Sequence, residues 1–220
     1  MGSDGGGGSD GGDGSIAIEG GAGGDSGSDG PAPKPIHRLI VSNLGAVTTE
    51  GVLAWDDAHL LKGDRAPDVV LQSPALQQAI NAMRLVGDRL FVYTNGQLMG
   101  IDNAQTMTAS TTPSFSIAVN GMPDSIHYSS MNDLLFLSDR NQQGSNVTMF
   151  SGGSQLKNGD MAAARFGSPG EPVTAVYRDP ANDRLYFADP LQQVIKYTPT
   201  ASVQSGNAMP IIDLGSGPNV

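Results

Sequence analysis

Short apolar segments alternate with polar turns along residues 36–217, and the pattern repeats. One recurring element is a strand-like pentad that begins with Leu and occurs at Leu39–Asn43, Leu90–Thr94, Leu135–Asp139 and Leu185–Asp189. The starts of these pentads are separated by 51, 45 and 50 residues. Three of them follow a polar turn that contains Asp88, Asp133 or Asp183. Such turns favour tight hairpins, because Gly, Asn and Asp tolerate a positive φ.

A second apolar strand follows each pentad and gives the same period. Its anchor residues are Trp55, Ile101, Phe150 and Tyr197, which are separated by 46, 49 and 47 residues. A further short strand precedes three pentads, and each unit ends in another apolar segment after a polar connection. Four strands in about 47 residues are typical of a β-propeller, in which each unit is one blade. The sequence therefore predicts an all-β β-propeller of four-stranded blades, with one helical connection at Ser73–Asn81.

The run from Asn158 to Tyr197, which contains GDMAAARF and NDRLYFAD, resembles the NHL repeat. The body from Ile36 to about Gly217 also resembles bacterial extracytoplasmic repeats of the NHL and YVTN types. This resemblance implies a β-propeller. It leaves activity open, since such repeats serve both as binding scaffolds and as lactonase-like hydrolases.

The repeat divides the chain into a tail, 1–35, and a body, 36–220. The predicted blades span about 36–79, 80–121, 122–171 and 172–217. The first of them lacks an innermost strand before His37. Four blades are fewer than the resembling family usually has. Three alternatives stay open: a fragment of a larger propeller, a four-bladed ring, or an arc that another chain completes.

The tail has a composition of its own. Residues 1–30 hold 14 of the 30 Gly residues, six of the 22 acidic residues and no Lys or Arg. So few apolar side chains cannot offset the entropy of ordering, and the tail is predicted to be disordered. It resembles the spacer that follows the lipidated cysteine of bacterial surface lipoproteins. We therefore expect an extracellular, cell-surface or periplasmic protein whose lipid anchor is absent from this chain.

Charge and composition exclude several classes of function. The formal net charge is -10 and Lys and Arg are scattered, which argues against nucleic-acid binding. Apolar runs stay well short of the roughly 18 residues that a membrane-spanning helix needs. There is no Cys, so disulfides and a thiol nucleophile are excluded.

Polar residues close the four pentads: Asn43, Thr94 with Asn95, Asp139 and Asp189. In a propeller they lie at the end where the joints between blades open, and their oxygens could surround calcium or another divalent cation. The alternative is that they stabilise tight turns by accepting bonds from nearby amides, and the repetition favours this interpretation. Glu171 occupies a joint where the resemblance to lactonase-like propellers implies a metal ligand. The alternative is a role in a turn, which the following Pro172 favours. No cofactor is expected from the residues alone.

Three functions remain after these exclusions. The favoured one is an extracytoplasmic binding scaffold whose partner is a protein or a cell-envelope polysaccharide. The second is a metal-dependent hydrolase of the lactonase or gluconolactonase type, and the third is an inactive fragment of a larger propeller protein. The sequence favours binding over catalysis without deciding between them.

Overall fold

The structure is a computed structural model of the chain. It describes residues 38–42, 51–71, 73–76, 80–94, 96–119, 121–140, 147–167, 172–200 and 212–213. All of these lie in the compact unit Ile36–Val220. The predicted disordered tail lies outside the described residues.

Within these described ranges, fifteen strands form four separate antiparallel sheets, which are called blades 1 to 4. Blade 1 contains β1 (Leu39–Ser42), β2 (Val52–Trp55) and β3 (Val69–Leu71). Blade 2 contains β4 (Ile80–Val86), β5 (Arg89–Thr94), β6 (Gln97–Ile101) and β7 (Phe115–Ala118). Blade 3 contains β8 (Pro123–Ser129), β9 (Leu134–Asp139), β10 (Val147–Ser151) and β11 (Ala164–Phe166). Blade 4 contains β12 (Ala175–Asp179), β13 (Arg184–Asp189), β14 (Val194–Pro199) and β15 (Ile212–Asp213).

Each blade is a meander whose strands pair in chain order. The predicted pentads are β1, β5, β9 and β13. The anchor residue lies opposite the first Leu in blades 1 to 3, as in the pair Leu135↔Phe150, whereas in blade 4 Tyr197 lies opposite Tyr186. The turns before β5, β9 and β13 contain residues of positive φ: Gly87 at 60°, Asp133 at 51° and Asp183 at 49°. These values explain the Gly and Asp residues of the sequence pattern.

Successive blades pack face to face. The alternation of β5 sends Leu90 and Val92 into a core shared with Val52 and Leu71 of blade 1. Its other face sends Phe91 and Tyr93 into a core shared with blade 3. A third core joins blades 3 and 4 through residues that include Phe136, Val147, Val176, Leu185 and Phe187. The inner strands β4, β8 and β12 contact one another in that order. The prediction of a β-propeller is therefore confirmed.

Short 3-10 turns connect the strands: η1 (Ala58–Leu60), η2 (Pro74–Leu76), η3 (Ala104–Thr106) and η4 (Gly153–Gln155). The helix predicted over Ser73–Asn81 is wrong, because η2 covers three residues and β4 already begins at Ile80. Ile80 is completely buried in the core between blades 1 and 2, so tertiary packing outweighs the local helical pattern. Among the described residues there is no helix of the length and apolarity needed to cross a membrane.

Candidate functional site

Three of the predicted site residues end the second strand of a blade. Thr94, Asp139 and Asp189 are the last residues of β5, β9 and β13. Their exposed fractions are 1%, 6% and 2%, so all three are buried. Asn43, Asn95 and Glu171 lie outside the described residues.

Asp139 holds the joints on both sides of blade 3. Its Oδ1 accepts a hydrogen bond of 2.8 Å from the Met122 amide in the joint before β8. Its main-chain carbonyl accepts one of 3.1 Å from the Val173 amide in the joint before β12. The residue thus fixes the positions at which two inner strands begin.

Asp189 stabilises the turn between β13 and β14. Its Oδ1 accepts hydrogen bonds from the amides of Leu191 (3.0 Å) and Gln192 (3.1 Å). Its Oδ2 forms an ion pair of 3.2 Å with Lys196 Nζ, and both side chains are almost fully buried. This is the turn-stabilising role that an Asx residue can fill at the end of a strand.

The oxygens of Asp139 and Asp189 therefore contact amides and a lysine. Within the described ranges, no group of three or more His, Cys, Asp or Glu side chains is placed to hold a metal ion. The predicted cation site stays a prediction, because its members Asn43 and Asn95 lie outside the described residues, as does the separate candidate Glu171.

A cleft of about 410 Å³ opens beside Asp139 and is lined by Asn81, Met122, Asp124, Arg140 and Thr174. These residues come from three blades: Asn81 lies near the start of β4, Met122 and Asp124 at the start of β8, and Thr174 just before β12. Arg140 follows β9 directly. The inner strands thus begin around a single cleft, at the end of the propeller where the sequence placed the site.

An ion pair gives this cleft its charge. Arg140 Nε donates to Asp124 Oδ2 over 2.6 Å, and the Arg140 amide donates to the Met122 carbonyl over 2.9 Å. The hydrogen bond to Asp124 raises the pKa of Arg140, and the negative charge of Asp124 raises it further. The arginine side chain is 62% exposed, whereas that of Asp124 is 13% exposed. The guanidinium of Arg140 is therefore exposed to solvent, and the more buried carboxylate of Asp124 holds it in place.

Sequence reasoning missed Arg140. The register of blade 3 pairs Pro123 with Asp139 and then shifts, so that Ser125 pairs with Ser138. Asp124 lies at this irregularity, close to the end of β9 and to Arg140. The signal that could have found the pair is this opposite charge at the open end of one hairpin.

The ring of His127, on β8, has its centroid 5.1 Å from that of Tyr177, on β12. Burial, together with the charges of Arg84 and Arg178, lowers the pKa of His127 to about 4. The imidazole is therefore neutral at pH 7.

Comparison with solved structures supports this architecture. The β-propeller domain of Cps50 (Swd1) from Myceliophteria thermophila matches with a TM-score of 0.55 and 13% identity, over 77% of this chain and 55% of that chain. The fold is a β-propeller. Hsv2 from Kluyveromyces lactis matches with a TM-score of 0.45 and 12% identity, over 74% of this chain and 44% of that chain. The propeller thus spans about half the length of the solved propellers it matches. Its sequence matches no protein-family model and no curated protein.

Proposed function

We propose that this propeller is an interaction scaffold and that its ligand binds in the cleft around Arg140. The observation that carries the proposal is the convergence of three inner-strand ends on one cleft that contains a fixed, exposed cation. Propellers keep their loops free to vary while the blades stay packed, so a site at the blade joints suits recognition.

The groups that line the cleft are suited to holding a polar chain. Asn81 and Thr174 offer neutral donors and acceptors, Met122 offers a flexible apolar contact, and Arg140 offers a cation with several donors. The Asp124 carboxylate faces Arg140, which keeps that cation in place. An extended protein segment that carries a carboxylate fits this set, since a guanidinium can bind a carboxylate through two parallel hydrogen bonds.

The site of action is part of the proposal. The Gly, Asp and Ser composition of residues 1–30 and the resemblance to NHL and YVTN repeats support a location outside the cytoplasm. Mass spectrometry of the native gene product tests this. A processed or lipid-modified amino terminus supports the location, and an unprocessed cytosolic form contradicts it.

The ligand proposal is tested by measuring binding to an array of acidic and neutral peptides and, separately, to soluble peptidoglycan fragments. We expect acidic peptides to bind and Arg140→Ala to weaken that binding at least about 10-fold, as loss of a central charged contact does. Arg65→Ala is the matched control, because Arg65 is also an exposed arginine in an ion pair, with Asp68, on blade 1.

Equal binding by the wild type and by Arg140→Ala would place the interaction elsewhere. Binding of peptidoglycan fragments alone would replace the protein ligand by a polysaccharide. Failure of both classes to bind would contradict the assignment of the cleft.

A further inference from the structure

Among the described residues, blade 1 and blade 4 each expose one face. In blade 3, every residue of β9 is buried, so both faces of that strand are covered by neighbouring blades. In blade 4, burial alternates along β13, and one face contributes Leu185 and Phe187 to the core with blade 3. The alternate residues of β13, such as Tyr186, lie on the opposite face and are partly buried or exposed.

The open face of blade 4 is apolar and rich in tyrosine. Tyr177, Tyr186 and Tyr197 lie opposite one another in register across β12, β13 and β14. Tyr177 is 58% exposed, and Ile195, in the neighbouring row, is 52% exposed. Large side chains of this kind are normally covered when they form a continuous patch on a sheet.

The open face of blade 1 is apolar as well. Leu39 lies opposite Trp55, and Val41 lies opposite Leu53, which in turn lies opposite Val70. Leu39 is 43% exposed and Val41 is 38% exposed. Since Leu39 and Ile195 are both exposed in the same chain, the two open faces do not cover each other within it.

The junction between blades 2 and 3 shows what such faces pack against. Phe91 and Phe115 of blade 2 share a core there with Leu135 and Phe150 of blade 3. By position in the repeat, Tyr186 corresponds to Phe91, while Leu39 and Trp55 correspond to Leu135 and Phe150. The open face of blade 4 thus corresponds to the face that blade 2 packs against blade 3. The open face of blade 1 corresponds to the face that blade 3 packs against blade 2.

An arginine links one blade to the next at two junctions. Arg38 of blade 1 pairs with Asp56 and donates to the carbonyls of Ala104 (3.2 Å) and Met107 (2.9 Å) in blade 2. Arg89 of blade 2 likewise donates to carbonyls of blade 3, those of Ser154 at 3.0 Å and Leu156 at 2.9 Å. Both arginines stand directly before the first Leu of a pentad.

Blade 4 has an arginine at the same position, and blade 1 has the corresponding carbonyls. Arg184 precedes Leu185, is exposed, and places its guanidinium 4.9 Å from the centroid of the Tyr197 ring on the open face. The carbonyls that correspond to those of Ala104 and Met107 belong to Ala58 and Leu61 of blade 1. Donor and acceptors therefore lie on opposite ends of one chain.

We propose that a second copy of this chain covers both open faces, with blade 4 of each copy packed on blade 1 of the other. Two such junctions close a ring of eight blades, within the range of four to eight that propellers use. A head-to-tail contact of this kind forms a closed dimer when its rotation closes, instead of a filament.

The first test is the mass of the full chain in solution, by sedimentation equilibrium at several protein concentrations. We expect a dimer of twice 22.7 kDa. A monomer at all concentrations overturns the proposal. A series of growing oligomers also overturns it, because the contact would then not close. Arg140→Ala should remain a dimer, so the result does not depend on the function of the cleft.

The second test uses one variant for each face, Leu39→Arg and Ile195→Arg. Each places a charge in a junction that must be desolvated, and each should weaken dimerisation at least about 30-fold, as a hot-spot residue does. Met161→Arg, at an 86% exposed position on blade 3, is the matched control and should remain a dimer. Circular dichroism checks that each variant is folded.

Mixing the two variants distinguishes head-to-tail pairing from pairing of like faces. In a dimer of one variant, both junctions contain the substitution. In a mixed dimer of Leu39→Arg and Ile195→Arg, both substitutions lie in the same junction and the other junction is unchanged. The mixed dimer should therefore be more stable than the dimer of either variant alone. If either Leu39→Arg or Ile195→Arg remains fully dimeric by itself, the substituted face is not part of the dimer contact. The two copies then pair through like faces, and the proposal is wrong.

Discussion

Arginine side chains at the start of the second strands connect neighbouring blades. Arg89 combines an ion pair with Asp102 of its own blade and two hydrogen bonds to carbonyls of blade 3, and its side chain is 20% exposed. Its guanidinium also lies 5.5 Å from the centroid of the Phe115 ring. One residue thus stabilises both the edge of a sheet and the junction beside it.

Replacing Arg89 should reveal this double role. We expect Arg89→Ala to lower the free energy of unfolding by about 2 kcal/mol, because partly buried hydrogen bonds from a charged donor are lost. Arg65→Ala, which removes an exposed ion pair, should cost about 0.5 kcal/mol or less. Urea unfolding of the three proteins measures both values. Equal losses for the two variants would contradict the role of Arg89 at the junction.

His127 should make stability depend on pH. Its pKa is about 4 in the folded chain, because of burial and the nearby charges of Arg84 and Arg178, and about 6.5 in an unfolded chain. Between these values the unfolded chain binds the additional proton, so folding stability falls as the pH drops from about 6.5 to about 4.

Nuclear magnetic resonance titration of the imidazole checks this pKa directly, and a midpoint near 6.5 would contradict it. His127→Gln removes the titrating group, so its stability should fall less than that of the wild type over the same pH interval.

At the scale of the strand, alternation decides which substitutions matter. Leu185 is completely buried in the core of blades 3 and 4, whereas Ile195, on the neighbouring strand, is 52% exposed on the open face. Both are aliphatic residues of nearly the same volume. Their surroundings therefore account for most of the difference between them.

We expect Leu185→Ala to lower the free energy of unfolding by about 3 kcal/mol, as large-to-small changes in a packed core do. Ile195→Ala should cost less than about 1 kcal/mol at protein concentrations where the chain is monomeric. Thermal and urea unfolding provide both numbers. A similar loss for the two variants would mean that the open face is covered within the monomer.

The strands were predictable because each repeats the same local pattern. The first Leu of each pentad, the four anchors and the turn aspartates all lie in the predicted strands and turns. Trp55, Ile101 and Phe150 lie opposite the first Leu, and Tyr197 is displaced by one position, opposite Tyr186. The segment Ser73–Asn81 was not predictable in the same way, since it occurs once and Ile80 takes its conformation from the core. Likewise, the cleft depends on Asn81, Asp124 and Thr174 from three blades, and a single sequence does not show which joints converge.

At the scale of the whole molecule, the propeller is a row of similar sheets in which each inner blade uses both faces. A single unit of about 47 residues buries too little apolar surface to fold alone, so stability comes from the junctions. Three junctions exist within the chain, and each has its own core. The open faces at both ends follow from the same rule.

Each inner blade packs one face against the preceding blade and the other face against the following blade. Nuclear Overhauser effects between labelled methyl and aromatic groups measure this packing most directly. We expect contacts from Val92 to Val52 or Ala54 of blade 1, and contacts from Phe91 or Tyr93 to Leu135 or Leu137 of blade 3. If Val92 and Phe91 instead contact the same neighbouring sheet, the blade-by-blade packing is contradicted.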